Sequence, residues 1–242
     1  MVEIFASSLV NGFWQSSLMG KGIVLAQLAT SIVMVAAVIG KWRQLAAADI
    51  ATRRIGRDIM GGRKVLEYYI ARHDSTHSAL ENIYTATCDR LLKLFTPDIR
   101  TMLVGHQPGA DTVATLTVNE TGLVKSLCEH VLEEEEIRLE KGMGLVSTVV
   151  TLAPMLGLLG TVWGVLDAFA DMGAAGTATI ATMAPAISSA LVTTVVGLLI
   201  AIPGAALHTH LSSKLRDLMS ELEGFADDLM GRIALEFQGR SA

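Results

Sequence analysis

Charge is missing from the two longest stretches of this 242-residue chain. No Asp, Glu, Lys, Arg or His occurs from Met143 to Leu166, nor from Thr177 to Leu207. A hydrocarbon core of about 30 Å needs roughly 20 apolar residues in a helix, and each run exceeds that. The runs exclude an ordinary soluble domain, while a charged fraction of 18% excludes a chain made only of spans. Cysteine is scarce. Cys88 and Cys128 stand far apart in sequence, without C-x-x-C spacing or clustered histidine. That excludes a disulfide framework and a metal site, and predicts two free thiols in a reducing compartment. A basic domain is also missing, and a net charge of −5 gives no reason to expect a nucleic-acid partner. Catalytic groupings are absent too. There is no nucleophile–base pair or phosphate-binding loop, and His73, His77, His106, His130, His208 and His210 are scattered. Neither an enzyme nor a cofactor is expected.

What is present is an all-α pattern with three apolar runs and a polar block. Residues 1–21 hold Phe13 and Trp14 among small polar residues and predict a short interfacial amphipathic helix. Residues 22–40 form the first span, closed by Lys41 and Arg43. A cleaved signal peptide would carry its cations before the apolar run, which favours an uncleaved span. Residues 41–142 read as a helical domain, 143–169 as the second span, 170–177 as a small-residue turn around Gly173-Ala174-Ala175-Gly176, 178–207 as the third span, and 208–242 as a C-terminal helix. The two arms of this hairpin are long enough to project past the lipid. Every Lys and Arg except Lys21 falls in the central block or the tail. Such bias places those segments in the cytoplasm and the N-terminus and hairpin turn on the outer side.

Within the central block, Ile50, Ile55, Ile59 and Leu66 make one loose stripe, and Leu80, Ile83, Tyr84, Leu91 and Leu94 a second. Thr96-Pro97 stops that second helix, and Gly105 to Ala110 reads as a loop. Asn119 is the expected N-cap of a third helix packed through Leu123, Leu127, Val131, Leu132 and Leu139. Its run Glu133-Glu134-Glu135-Glu136 is expected on a solvated face rather than at a docking surface. In the tail, Leu211, Leu215, Leu218, Leu222, Phe225 and Leu229 keep four-three spacing, a heptad seam. It serves either the chain's own helices or a neighbouring subunit.

The hairpin carries polar residues that need a partner. Gly157, Gly160 and Gly164 make a small-residue face suited to close helix packing. Thr182, Ala186, Ser189, Thr193 and Gly197 share a face of the third span, with Thr194 about 100° round from Thr193. One or two hydroxyls could bond their own helix backbone; a full stripe fits a bundle or a wet cavity better. Pro154, Pro185 and Pro203 free backbone carbonyls that must face protein or water. No titratable side chain lies at mid-depth, and Asp167 falls near the outer interface, so any proton carrier must come from elsewhere.

The run Thr151-Leu152-Ala153-Pro154-Met155-Leu156-Gly157-Leu158-Leu159-Gly160-Thr161-Val162-Trp163-Gly164 strongly resembles the second-span signature of the ExbB/TolQ proteins, relatives of the MotA flagellar stator subunit. Ala184 to Leu198, followed by Ala201-Ile202-Pro203, resembles the third-span signature. Three spans fit ExbB/TolQ better than the four-span MotA type. The resemblance implies a pentamer around a central pore in the bacterial inner membrane, with the N-terminus periplasmic. It implies a single-span ExbD/TolR-like partner with an essential Asp, and proton-driven work delivered to a TonB- or TolA-like protein. It also implies that Thr161 and Thr194 are the pore threonines, with Ser189, Thr193 and Thr182 along the ion pathway. Gly157, Gly160, Gly164, Pro154, Pro185 and Gly197 would pack the helices. Family members often carry Glu where this chain has Ser189, which cannot titrate near neutral pH. Sodium in place of protons, a motility stator and a non-conducting scaffold are the alternatives.

Overall fold

A computed structural model describes residues 14, 17–62, 64–71, 78–105, 114–175 and 180–237. The expected interfacial helix at the N-terminus and most of the loop at 105–110 lie outside these residues. The described chain is all helical, with no strand: α1 Leu18–Gly61, α2 Glu67–Ala71, α3 Ala79–Leu94, α4 Pro97–Val104, α5 Val118–Glu140, α6 Met143–Ala175 and α7 Ile180–Phe237. Three stretches are long and apolar enough to cross a membrane: Leu18–Gly61, Val118–Gly173 and Met183–Phe237. The chain divides into two compact units, one of residues 1–42 with 142–212, the other of residues 43–141 with 213–242.

The helices overrun the compositional borders read from sequence. α1 continues through Gly40 and Lys41 to Gly61, and α7 runs unbroken through Leu207. Charge begins at those borders, but nothing there interrupts the backbone ladder. α6 also stays helical through Gly173 to Ala175, so Asp167 and Asp171 lie on the helix, and residues 176–179 of the expected turn region lie outside the described residues. One border does coincide with a break. Gly142 adopts a φ of 96°, a left-handed conformation that a side chain would strain, and it separates α5 from α6.

The polar unit is built on α3. Leu80, Ile83, Tyr84 and Leu91 are buried as their spacing predicts, and Ser78 caps the helix by accepting from the Glu81 amide at 3.2 Å. Thr96 precedes Pro97, the first residue of α4, so the proline ends one helix and opens the next. α5 corrects two expectations. Its N-cap is Thr117 with Glu120 in a capping box, not Asn119, which lies inside the helix. Its buried face runs through Val124, Cys128, Glu135 and Leu139, while Leu123 is exposed. The apolar stripe misleads because Glu135 turns inward. It accepts from Asn82 Nδ2 at 2.8 Å and Arg138 Nη1 at 3.3 Å, while Glu133, Glu134 and Glu136 stay on the solvated face. In α1, Ile55 and Ile59 are buried with Leu66 after it, but Ile50 points outward.

The heptad seam is buried at every position from Leu211 to Leu229, within a single chain. Beyond it Phe237 packs against Phe95 with the rings tilted by 49° and their centroids 5.6 Å apart, and its carbonyl accepts from the Leu116 amide at 2.7 Å. α7 also closes the end of α1. Arg232 donates to the carbonyls of Ile59, Met60 and Gly62, and Glu236 accepts from the Val65 amide at 2.8 Å. Helix C-termini leave carbonyls unpaired, and a guanidinium satisfies them with complementary charge.

Cys88 and Cys128 are both free and buried. Burial pushes the Cys88 thiol up to about 12, aided by Asp89 and opposed by a hydrogen bond with Tyr84; burial also raises the Tyr84 phenol. An unfolded thiol titrates near about 8.5. The native state therefore favours the protonated thiol. Its contribution to stability is complete below that value and disappears as pH climbs toward the folded value. We expect the denaturation midpoint to fall between about pH 9 and 11, and Cys88→Ala to flatten part of that decline. A midpoint independent of pH over that range would contradict the burial.

Candidate functional site: a hydroxyl and carbonyl node in the apolar hairpin

α6 and α7 pair antiparallel, and their glycines set the register. A methyl on Gly157 would meet Thr194 Cα at 2.9 Å, one on Gly164 would meet Ala190 Cβ at 2.5 Å, and one on Gly197 would meet the Ala153 carbonyl oxygen at 2.5 Å. Residue numbers rise on one helix as they fall on the other. Gly160 faces the Thr193 side chain at similarly close range. Without side chains at these points the two backbones approach closely, the usual solution where lipid offers no hydrophobic drive. Pro154, Pro185 and Pro203 lie inside the helices without ending them.

Close approach brings polar groups together. Thr194 donates to the carbonyl of Gly157 at 2.9 Å, and the single Thr193 proton is shared between the carbonyls of Ala190 at 2.7 Å and Gly157 at 3.2 Å. Thr193 is only 1% exposed, sealed between the two arms, whereas Thr194 is half-buried. Thr161 donates to the Leu158 carbonyl at 2.8 Å and Ser189 to the Ala186 carbonyl at 2.9 Å, each within its own helix. Thr161 is half-buried and Ser189 buried. Thus Gly157, Gly160, Thr193 and Thr194 converge, while Thr161 and Ser189 satisfy themselves locally. The Thr182 side chain lies outside the described residues. Asp167 sits on α6 beyond Thr161 and has one enclosed oxygen, Oδ2, without a hydrogen-bond partner among the described residues.

The residue that sequence alone does not reveal is Gln27. It is fully buried on α1, and its Nε2 donates to the carbonyls of Thr193 at 3.0 Å and Ala153 at 3.4 Å. A single polar residue in an apolar run could equally face water, lipid or protein. Only its position against the hairpin distinguishes these.

Around the node the outer surfaces are apolar. Leu158, Leu159, Val162, Leu166 and Phe169 on α6, and Leu191, Leu198, Leu199 and Ile202 on α7, are exposed. Such continuous apolar surface requires lipid or other subunits to cover it. Among the described residues no three His, Cys, Asp or Glu come together as metal ligands.

The glycine contacts give a direct test. In Gly197→Ala the new methyl would press on a backbone oxygen that cannot rotate aside, and on Gln27 Nε2 at 2.9 Å. Overpacking of this kind costs about 1–3 kcal/mol. We expect a lower melting temperature in detergent; an unchanged one would mean that the arms are farther apart.

Residues 106–224 match the MotA/TolQ/ExbB proton channel family, by that description. The Tol-Pal system protein TolQ of Pseudomonas aeruginosa is 34% identical over 123 residues, 51% of this chain and 51% of that protein. The biopolymer transport protein ExbB of Xanthomonas campestris pv. campestris is 34% identical over 113 residues, covering 47% and 45%. ExbB of Neisseria gonorrhoeae is 36% identical over 96 residues, covering 40% and 44%. The chain spans about half the length of the curated relatives it matches. The matched stretch holds the whole glycine–threonine node, and residues 106–224 of this chain belong to the MotA/TolQ/ExbB proton channel family.

Proposed function

We propose that this chain is the wall of a proton-driven motor in the bacterial inner membrane. Five copies would surround a central passage that houses a single-span ExbD/TolR-like protein. The work would pass to a TonB- or TolA-like protein serving outer-membrane transport or envelope maintenance. The observation that carries this proposal is the pairing of two facts. The hairpin holds no titratable group from Met143 to Leu166 or from Thr177 to Leu207, and Thr194 there keeps a half-buried hydroxyl on a carbonyl that Thr193 already serves. A hydroxyl so placed can exchange its acceptor for water or for a partner's carboxylate without stranding a buried group.

Thr194 and Thr161 are the groups we assign to the ion path. Thr193 and Ser189 are buried within one chain and support that path from behind. We assign Thr182 to the same path on helical spacing in the sequence alone. Because Ser189 cannot ionise near neutral pH, the partner's Asp supplies the titrating group. Excess Lys and Arg put the central segment and the C-terminus in the cytoplasm and residues 1–21 in the periplasm.

One observation favours a second function. All four described hydroxyls already donate to carbonyls of this chain, as they would in a passive scaffold. Reconstitution decides between the two. The chain is co-purified with its single-span partner, placed in liposomes, and given an imposed pH gradient. Partner-dependent proton uptake is the expected result. A complex that assembles yet passes no protons would establish the scaffold.

A further inference from the structure

We propose that Gln27 is a positioning residue for the threonine node, and this rests on the function proposed above. It lies outside residues 106–224, so the family match does not cover it. Three observations carry the inference. First, Gln27 is the fully buried amide of α1, and its Nε2 faces two carbonyls from two different helices, Ala153 on α6 and Thr193 on α7. Two acceptors on one side fix which end of the amide is nitrogen. Second, the contacts lie at the glycine crossings. A methyl on Gly197 would come to 2.9 Å from Nε2, so that glycine makes room for this side chain, while one on Gly157 would lie in ordinary contact with it at 3.5 Å. Third, Oε1 has no partner among the described residues, so the site accepts an unpaired buried acceptor in order to keep the two donated bonds. Groups left so are costly and need a reason.

The reason is register. Thr193 contributes its carbonyl to Gln27 and its hydroxyl to Gly157, and its neighbour Thr194 donates to that same Gly157 oxygen. Gln27 therefore holds α1 against both arms at the level where Thr194 is presented. A shift of α7 by one residue would turn Thr194 by about 100° and remove it from the Gly157 carbonyl.

Two variants of similar shape test this. Gln27→Met fills the space but donates nothing. Gln27→Glu donates only in its protonated form, so its activity should depend on acid. In the reconstituted complex we expect Gln27→Met to lower partner-dependent proton uptake at least tenfold with assembly unchanged. Gln27→Glu, whose buried carboxyl is held protonated, should keep more of the wild-type rate than Gln27→Met and lose it as the pH is raised into the alkaline range. Wild-type uptake in Gln27→Met would overturn the inference. A second readout does not depend on conduction. Gly204 lies against Met34, with a methyl there 2.6 Å from Sδ. A Met34→Cys, Gly204→Cys pair, in a background with Cys88 and Cys128 changed to Ser, should form a disulfide readily, and several-fold more slowly with Gln27→Met. Unchanged cross-linking would refute the positioning role. Slowed cross-linking in a complex that never conducts would refute the motor and leave the positioning role standing.

Discussion

Thr194→Val abolishes partner-dependent proton uptake while the complex still assembles; this is the largest functional effect expected of any single change. The substitution keeps shape and branching and removes one hydroxyl. In many buried sites that would strand an acceptor at a cost of about 1–3 kcal/mol. Here it does not, because the Gly157 carbonyl lies inside α6, within the helix's own hydrogen-bond ladder, and still faces the Thr193 proton it shares with Ala190 at 3.2 Å. The fold therefore tolerates the change, and a melting temperature in detergent within a few degrees of wild type is expected. Thr193→Val is the informative contrast. It removes the sealed hydroxyl, leaving Thr194 to serve Gly157, and it should affect packing with less effect on conduction. Full proton uptake by Thr194→Val, measured with the partner present, would remove Thr194 from the ion path.

Tyr84→Ala is expected to unfold the polar unit. Tyr84 is fully buried on α3, its ring meets Tyr68 edge-on at 5.7 Å, and its hydroxyl bridges two backbone groups. It donates to the Val65 carbonyl at 2.6 Å and accepts from the Tyr69 amide at 3.0 Å. Removing a large buried ring costs about 3–5 kcal/mol, a large part of the stability of a typical domain. Tyr84→Phe keeps the ring and strands the two backbone groups, for about 1–3 kcal/mol. The order wild type, Tyr84→Phe, Tyr84→Ala should appear in chemical denaturation followed by circular dichroism. Equal stability of wild type and Tyr84→Phe would mean that the hydroxyl bridge contributes nothing.

What was legible in the sequence follows from what each signal depends on. The spans were visible because absence of charge is a local property that lipid alone demands. The seam from Leu211 to Leu229 was visible because its period repeats for five turns, and all six positions are buried. The face of α5 was not. Leu123 and Leu127 look like core, yet Val124 and Cys128 take that place because Glu135 finds Asn82 and Arg138 and can turn inward. The cap at Thr117 depends on the reciprocal partner Glu120, and Asn119 competes with it in any local scan. Spacing marks the glycines at 157, 160, 164 and 197 as packing points, but it does not name what they meet, such as Thr194 for Gly157 and Ala153 for Gly197. Gln27 lay beyond reach for the same reason: both of its acceptors are more than 100 positions away.

Gly142 sets one crossing of the chain apart from the others. The chain passes between apolar and charged composition three times: in α1 near Trp42, at Lys141-Gly142, and in α7 near Ser212. Two of these passages are continuous hydrogen-bonded rods, where a bend must break ladder bonds. The third is a single left-handed residue, a conformation that suits glycine and strains a side chain. A substitution at position 142 would therefore strain this crossing, whereas the other two rest on unbroken helix and tolerate any good helix former.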